Sequence, residues 1–572
     1  MSIRDITIKK FHFITLAILI FGGVLRLVNL GGSPLTNQEA QHALNAAQET
    51  VHASQFSEAN DPRSSAALHD FITRILFEVG GASDFNARLA SAVAGIGLFL
   101  SPLLLKRKHG PGISLLMAAL IAVSPLFVTT SRTASAASLA AAGILLTLLI
   151  IAATDEERGD KYAYLGAIAL GISLTLGRSG YNGLIILALT LLFSLRTRRP
   201  DIPKKLSQVS LWLVPLTLLI VITRFGSSFA GISAFFESVF SYLQSWLLPA
   251  DYPAASVLML IPIYAPALLT FGGLGVIQSL RERTAIDSTL LAFFLVSIIF
   301  ILVYPGRMPE DILWPAFAMM FFASKYISRL VSEFSINGIN PMSAVIALVI
   351  GILYIRFDIQ ISASIDPIAL IDQPFIQLLF YIFITAAILI FFGLGWSWYD
   401  ARNGLFFGLG FIFISIGISS LWSLNFHPAT NSARELWRNH ATTQGLASLM
   451  QTLESTSELS TGSNSGLALQ ILGPAPSSLK WALRDQQKAQ DPAQIAPAIV
   501  LAKEIEDEPQ LIADYIGQGL VIGESWGWDS TLPPNFIRWW ITREAPVEFD
   551  RWWILIRDDI ALHYQGVILE DF

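Results

Sequence analysis

The chain contains no cysteine, which excludes disulfide bridges and thiolate metal sites. Charge is also scarce: Asp, Glu, Lys and Arg make up 14% of 572 residues, hydrophobic residues 53%, and mean hydropathy is +0.57. Soluble globular domains carry about 25% charged residues, so a water-soluble fold is excluded. The formal charge of −6 says little about a membrane-embedded chain, and no nucleic-acid partner is expected. The first apolar run lacks a small-residue cleavage site after it and reads as a retained helix, not a signal peptide.

What is present is a series of apolar stretches of the length that crosses a hydrocarbon core. They lie near residues 12–30, 87–105, 111–130, 135–153, 162–177, 181–195, 207–225, 257–279, 286–304, 311–329, 340–357, 374–396 and 403–424. About thirteen transmembrane helices are therefore expected. With the N-terminus in the cytoplasm, the inner loops hold 18 basic residues and the outer side before the tail holds nine. That asymmetry sets the orientation and places the tail outside.

The nine outer basic residues are all arginine: Arg26, Arg63, Arg74, Arg88, Arg132, Arg178, Arg224, Arg307 and Arg356. Every lysine of the first 427 residues falls on the inner side. Arginine pairs bidentately with phosphate; it also snorkels and pairs with lipid headgroups. Both readings stay open for each residue.

After Leu424 the composition turns polar. Runs at 467–472, 498–502 and 519–522 read as strands, and segments near 433–454, 477–488 and 508–517 read as helices. Residues 455–465 read as a flexible loop. The chain is thus expected to divide into a multispan helical domain, residues 1–426, and a small extracytoplasmic α/β domain, residues 427–572. The tail's tryptophans, including Arg538-Trp539-Trp540 and Arg551-Trp552-Trp553, suit packing first, and sugar stacking or membrane contact second.

The longest polar interval before the tail is the first outer loop, residues 31–85. Its segment Asn37 to Val51 suits an amphipathic interfacial helix. Glu39 there is a candidate general base, with Asp61 and Asp70 in support; the alternative is a solvated or helix-terminal charge. His42, His52 and His69 share the loop. A His42/Glu39 pair at i, i+3 has metal-ligand spacing, but ordinary interfacial histidines are the commoner case and no metal is assigned. Arg88, Arg132, Arg178 and Arg307 are candidate ligands for a phosphate.

The segments Gln38-Glu39-Ala40-Gln41-His42, Asp61-Pro62, Gly81 to Ala92 with Ala87-Arg88-Leu89, and Ser124-Pro125-Leu126 to Ser131-Arg132 resemble the multispan GT-C glycosyltransferases. In particular they are similar to relatives of the dolichyl-phosphate-mannose protein mannosyltransferases, family 39. Tyr304-Pro305-Gly306-Arg307-Met308-Pro309 continues the resemblance more weakly. The resemblance implies an all-α polytopic fold and transfer of a sugar from a polyprenyl-phosphate carrier to a protein or lipid acceptor, with no cofactor. It also implies an integral protein of a prokaryotic plasma membrane. Where such relatives carry Asp-Glu, this chain has Gln38-Glu39; Arg63 to Ala66, Ala137 and Arg178-Ser179 stand at other family positions. Glutamine cannot accept a proton at neutral pH, so a catalytically inactive protein that binds lipid phosphate or scaffolds a complex is the alternative. A transporter is disfavoured, since the spans bury almost no ionisable groups.

Overall fold

The computed structural model describes residues 3–47, 66–153, 159–197, 204–226, 229–282, 284–337, 340–363, 373–427, 432–488, 496–503 and 513–561. Each of the expected apolar stretches falls on a helix. Among the described residues, six helices are long and apolar enough to cross a membrane, or up to eight if two bent pairs each count as one span. Three shorter apolar helices accompany them. The helix Phe375–Gly395 leaves its whole apolar window unburied against the protein, as a lipid-facing helix does. The helix Leu313–Asn337 instead buries every residue from 313 to 324; apolar all round, it is the pillar of the bundle.

The four elements that frame the first loop are α1 (Ile3–Leu27), α2 (Asn37–Ala47), α3 (Ala67–Gly80) and α4 (Asp84–Leu100). The Ser83 hydroxyl caps α4 by accepting the Asn86 amide, with Asp84 in the first turn, a favourable charge at a helix N-terminus.

Proline explains the sharpest local event here. Helices Pro111–Val123 and Pro125–Ser131 meet at 61°. Pro125 has no N–H for the Ile121 carbonyl four residues back. The Arg26 guanidinium replaces it, donating to the carbonyls of Ile121 at 3.3 Å and Ala122 at 2.9 Å. Gly95 lets α4 approach this break, because a Cβ there would stand 2.3 Å from that of Ser131.

The C-terminal part forms a six-stranded sheet in the order β1-β5-β6-β4-β2-β3. The strands are β1 (His440–Thr442), β2 (Ala468–Leu472), β3 (Gln487–Lys488), β4 (Ile499–Lys503), β5 (Tyr515–Trp526) and β6 (Val547–Arg557). β2 pairs in parallel with β3 and β4, and the other pairings are antiparallel. The segment expected as a flexible loop, 455–465, is mostly helix: Gly445–Thr461 continues to a left-handed Gly462 cap. Leu449 and Leu453 on its buried face outweigh its serine-rich end. The expected helix at 508–517 gives way at its described end to β5, which pairs with β6 from Tyr515 onward. Trp539 and Trp552 are wholly buried, so packing accounts for both, while Trp553 is partly exposed.

This sheet and the first loop lie on one side of the bundle and lock together. Trp481 stacks on Phe77 at 5.5 Å and donates to Asp84 at 2.8 Å. The Thr442 hydroxyl donates to the Leu35 carbonyl, and that of Ser477 to the Gln41 side chain.

Candidate active site

A cavity of about 340 Å³ lies between the first loop, the segment around 306–310 and the start of the C-terminal part. Its walls include Gln38, His42, Ser135, Arg178, Tyr242, Tyr252, Glu310 and Arg438. Ligand sites of this kind are concave, with a few convergent polar groups.

Glu39 borders the cavity but faces inward, 4% exposed. Its Oε1 accepts Arg88 Nε at 2.7 Å and the Ala134 amide at 2.9 Å. Its Oε2 accepts a second Arg88 nitrogen at 2.9 Å, and the Thr36 amide and hydroxyl. Five donors fill the roughly four lone-pair positions of a carboxylate. Burial alone would push the Glu39 carboxyl up; Arg88 and the two amides hold it at about 2. Arg88 spends its remaining donors on the carbonyls of Leu30, Ser33 and Pro34. This pair knits the turn after α1 to α2, α4 and the loop before the helix Ala137–Ala153.

The other expected phosphate ligands divide. Arg132 donates to the carbonyls of Leu25, Arg26, Val28 and Asn29, capping the C-terminus of α1. Arg307 donates to those of Tyr252, Ile301 and Tyr304, closing the helix Ala285–Val303. Arg88, Arg132 and Arg307 are not among the cavity's walls, and Arg178 is. Arg88, Arg132 and Arg307 thus have a structural reason to be arginine. One planar fork serves several helix-end carbonyls, and a lysine ammonium cannot reach them all.

Arg178, in the first turn of the helix Gly177–Thr197, donates to the Gly306 carbonyl at 2.7 Å. It lies 3.6 Å from both Glu310 and Asp311. Asp311 is spent on structure, accepting the Met308 amide and the Asn182 side chain. Glu310 is not. Burial raises its pKa, and Arg178 only partly opposes the rise. It shares a corner of the cavity with Gln38, whose amide nitrogen is 3.7 Å from the Met308 sulfur. Arg438 also lines the cavity, and burial pushes its guanidinium down in pKa.

Asp61 lies outside the described residues. Asp70 sits in the first turn of α3 between His42 and His69. Ala137 starts the helix Ala137–Ala153 and is buried. Sequence reasoning missed Glu310 and Arg438. The resemblance at 304–309 stops one residue short of Glu310, so a signal was present there; none marks Arg438.

Residues 64–225 match the model of the family described as dolichyl-phosphate-mannose-protein mannosyltransferase. No curated protein matches the chain. Among solved structures, ArnT from Cupriavidus metallidurans bound to undecaprenyl phosphate aligns with a TM-score of 0.54 at 13% identity, covering 96% of this chain and 98% of that one. The apo state of the same protein gives 0.50 at 13% identity, covering 88% and 93%. The chain therefore shares the fold of this ArnT structure, and its residues 64–225 match the mannosyltransferase family model.

Proposed function

We propose that the protein is a membrane glycosyltransferase that moves a sugar from a polyprenyl-phosphate carrier to a hydroxyl of a protein or lipid acceptor on the outer face. The observation that carries this reading is the cavity itself. It holds one carboxylate with a raised pKa, Glu310, beside Arg178 and in the same cavity as Arg438, in a fold shared with a protein bound to undecaprenyl phosphate.

Glu310 takes the place of the acid missing at Gln38 and acts as general base. It removes the acceptor hydroxyl proton as that oxygen bonds to the anomeric carbon and the carbon–phosphate oxygen bond breaks. A raised pKa brings a base closer to the pH at which it works. Arg178 and Arg438 stabilise the departing lipid phosphate, as fixed cations do where negative charge develops. Glu39, the base expected from sequence, is assigned instead to holding the loop.

The test is transfer from radiolabelled undecaprenyl-phosphate-linked hexoses by purified protein in nanodiscs. Wild type should turn over, and Glu310→Gln should lose about 10²–10⁴-fold in rate while still binding undecaprenyl phosphate. The neutral Gln38 and Ala137 favour one rival, a lipid-phosphate binder without catalysis. Phosphate binding with no transfer by wild type would establish it.

A further inference from the structure

His42, His69 and Asp70 come together from α2 and α3 at the edge of the cavity. His42 Nδ1 is 3.2 Å and His69 Nδ1 is 3.4 Å from the same oxygen, Asp70 Oδ1. One ligand atom from each residue can be chosen so that all lie within 4.8 Å of one another. The His69 side chain is fully buried, and those of His42 and Asp70 are 13% and 16% exposed.

Hydrogen bonding around His69 defines which of its nitrogens carries the proton. The Ser91 hydroxyl donates its only hydrogen to the Ser135 carbonyl at 2.7 Å and also accepts the Ser135 amide. Towards His69 Nε2, 3.4 Å away, Ser91 can then only accept. The neutral ring is therefore protonated at Nε2, and its Nδ1 lone pair points at a carboxylate oxygen. Two lone pairs face each other there unless a positive charge sits between them. An outer hydroxyl that orients the far ring nitrogen is the usual support of a metal-ligating histidine.

We propose that His42, His69 and Asp70 bind one zinc-class divalent cation, leaving its fourth position open toward the cavity. Zinc bonds of about 2.0–2.1 Å in tetrahedral geometry separate neighbouring ligand atoms by about 3.3 Å; the two histidine–Asp70 separations are 3.2 and 3.4 Å, and the third lies within 4.8 Å. Two imidazoles with one carboxylate select zinc or cobalt over magnesium or calcium. Because His42 also lines the cavity, the open position can take water or a phosphate oxygen. Metal binding does not depend on the transfer reaction proposed above.

The experiment is a titration of the full-length, chelator-stripped protein in detergent. Zinc is followed by calorimetry and cobalt by visible absorption. Wild type should bind one ion per chain with the intense tetrahedral cobalt bands. His69→Gln and Asp70→Asn should each weaken binding at least about tenfold, and Ser91→Ala should weaken it by about tenfold or more. His12→Gln, far from the cluster in sequence and on α1, should change nothing. A wild type that binds no stoichiometric zinc overturns the proposal without recourse to any variant. So does binding that survives Asp70→Asn and His69→Gln in variants that elute and melt like wild type. Loss of transfer with intact zinc binding would count against the proposed reaction alone.

Discussion

Glu39→Gln separates two roles for the same carboxylate, and its cost can be reached by two routes. The first is electrostatic. In the folded protein the Glu39 pKa stands at about 2, against an ordinary 4.5. At about 1.4 kcal/mol per pH unit that displacement is worth roughly 3 kcal/mol. The folded value is the lower one, so this stability is complete above about pH 4.5 and is lost as pH falls toward about 2. The second route is the buried pair itself. A glutamine turns an NH₂ toward donors of Arg88 or Thr36 and leaves the Arg88 guanidinium, 4% exposed, without its counter-charge. Removing one partner of a buried ion pair costs about 3–5 kcal/mol. The two estimates agree. The unfolding midpoint of purified Glu39→Gln at pH 7 should fall by about 2–4 °C, since the unfolding entropy of a chain this long is about 1.2 kcal/mol per kelvin. The double variant Glu39→Gln/Arg88→Met leaves no buried charge but strips the Leu30, Ser33 and Pro34 carbonyls of their donor, so it should recover only part of the loss. A single variant that melts at the wild-type temperature yet cannot transfer sugar would make Glu39 a reacting group and refute its structural role.

The other predictions follow the same geometry. Arg132→Lys keeps the charge but cannot serve the four carbonyls at the end of α1; it should cost about 2 kcal/mol, read as a lower unfolding midpoint in detergent. Trp481→Ala removes a buried ring stacked on Phe77 and bonded to Asp84. It should cost about 3–5 kcal/mol and open the junction between the first loop and the sheet to limited proteolysis. The pH–rate profile should rise through an apparent pKa above the ordinary 4.5 of a glutamate as Glu310 deprotonates, and that limb should disappear in Glu310→Gln.

The helical architecture was legible because a spanning helix is written locally, as a continuous apolar stretch. Strands β2 and β4 were legible for a similar reason, each being a short apolar run. β6 was not: Val547–Arg557 mixes four charged residues with an adjacent tryptophan pair, and only pairing with β5 and β4 shows it to be a strand. The first loop was recognised as a wall of the site, yet the role of Glu39 was not readable there. Its partner Arg88 lies 49 residues away in sequence, and nothing local distinguishes a saturated carboxylate from a free one. The nine arginines were visible as a pattern, but what holds Arg132 and Arg307, the direction of helix-end carbonyls, is not stated in any sequence. Glu310 and Arg438 reach the cavity from segments that meet the first loop only in the fold.

The most direct measurement is a cryo-EM structure of the protein in nanodiscs with undecaprenyl phosphate. The account predicts the phosphate within hydrogen-bond distance of Arg178 and Arg438, with Glu310 facing the space beside it, while Arg88, Arg132 and Arg307 keep their present partners. A phosphate held by Arg88, Arg132 or Arg307, or one lying outside this cavity, would contradict it.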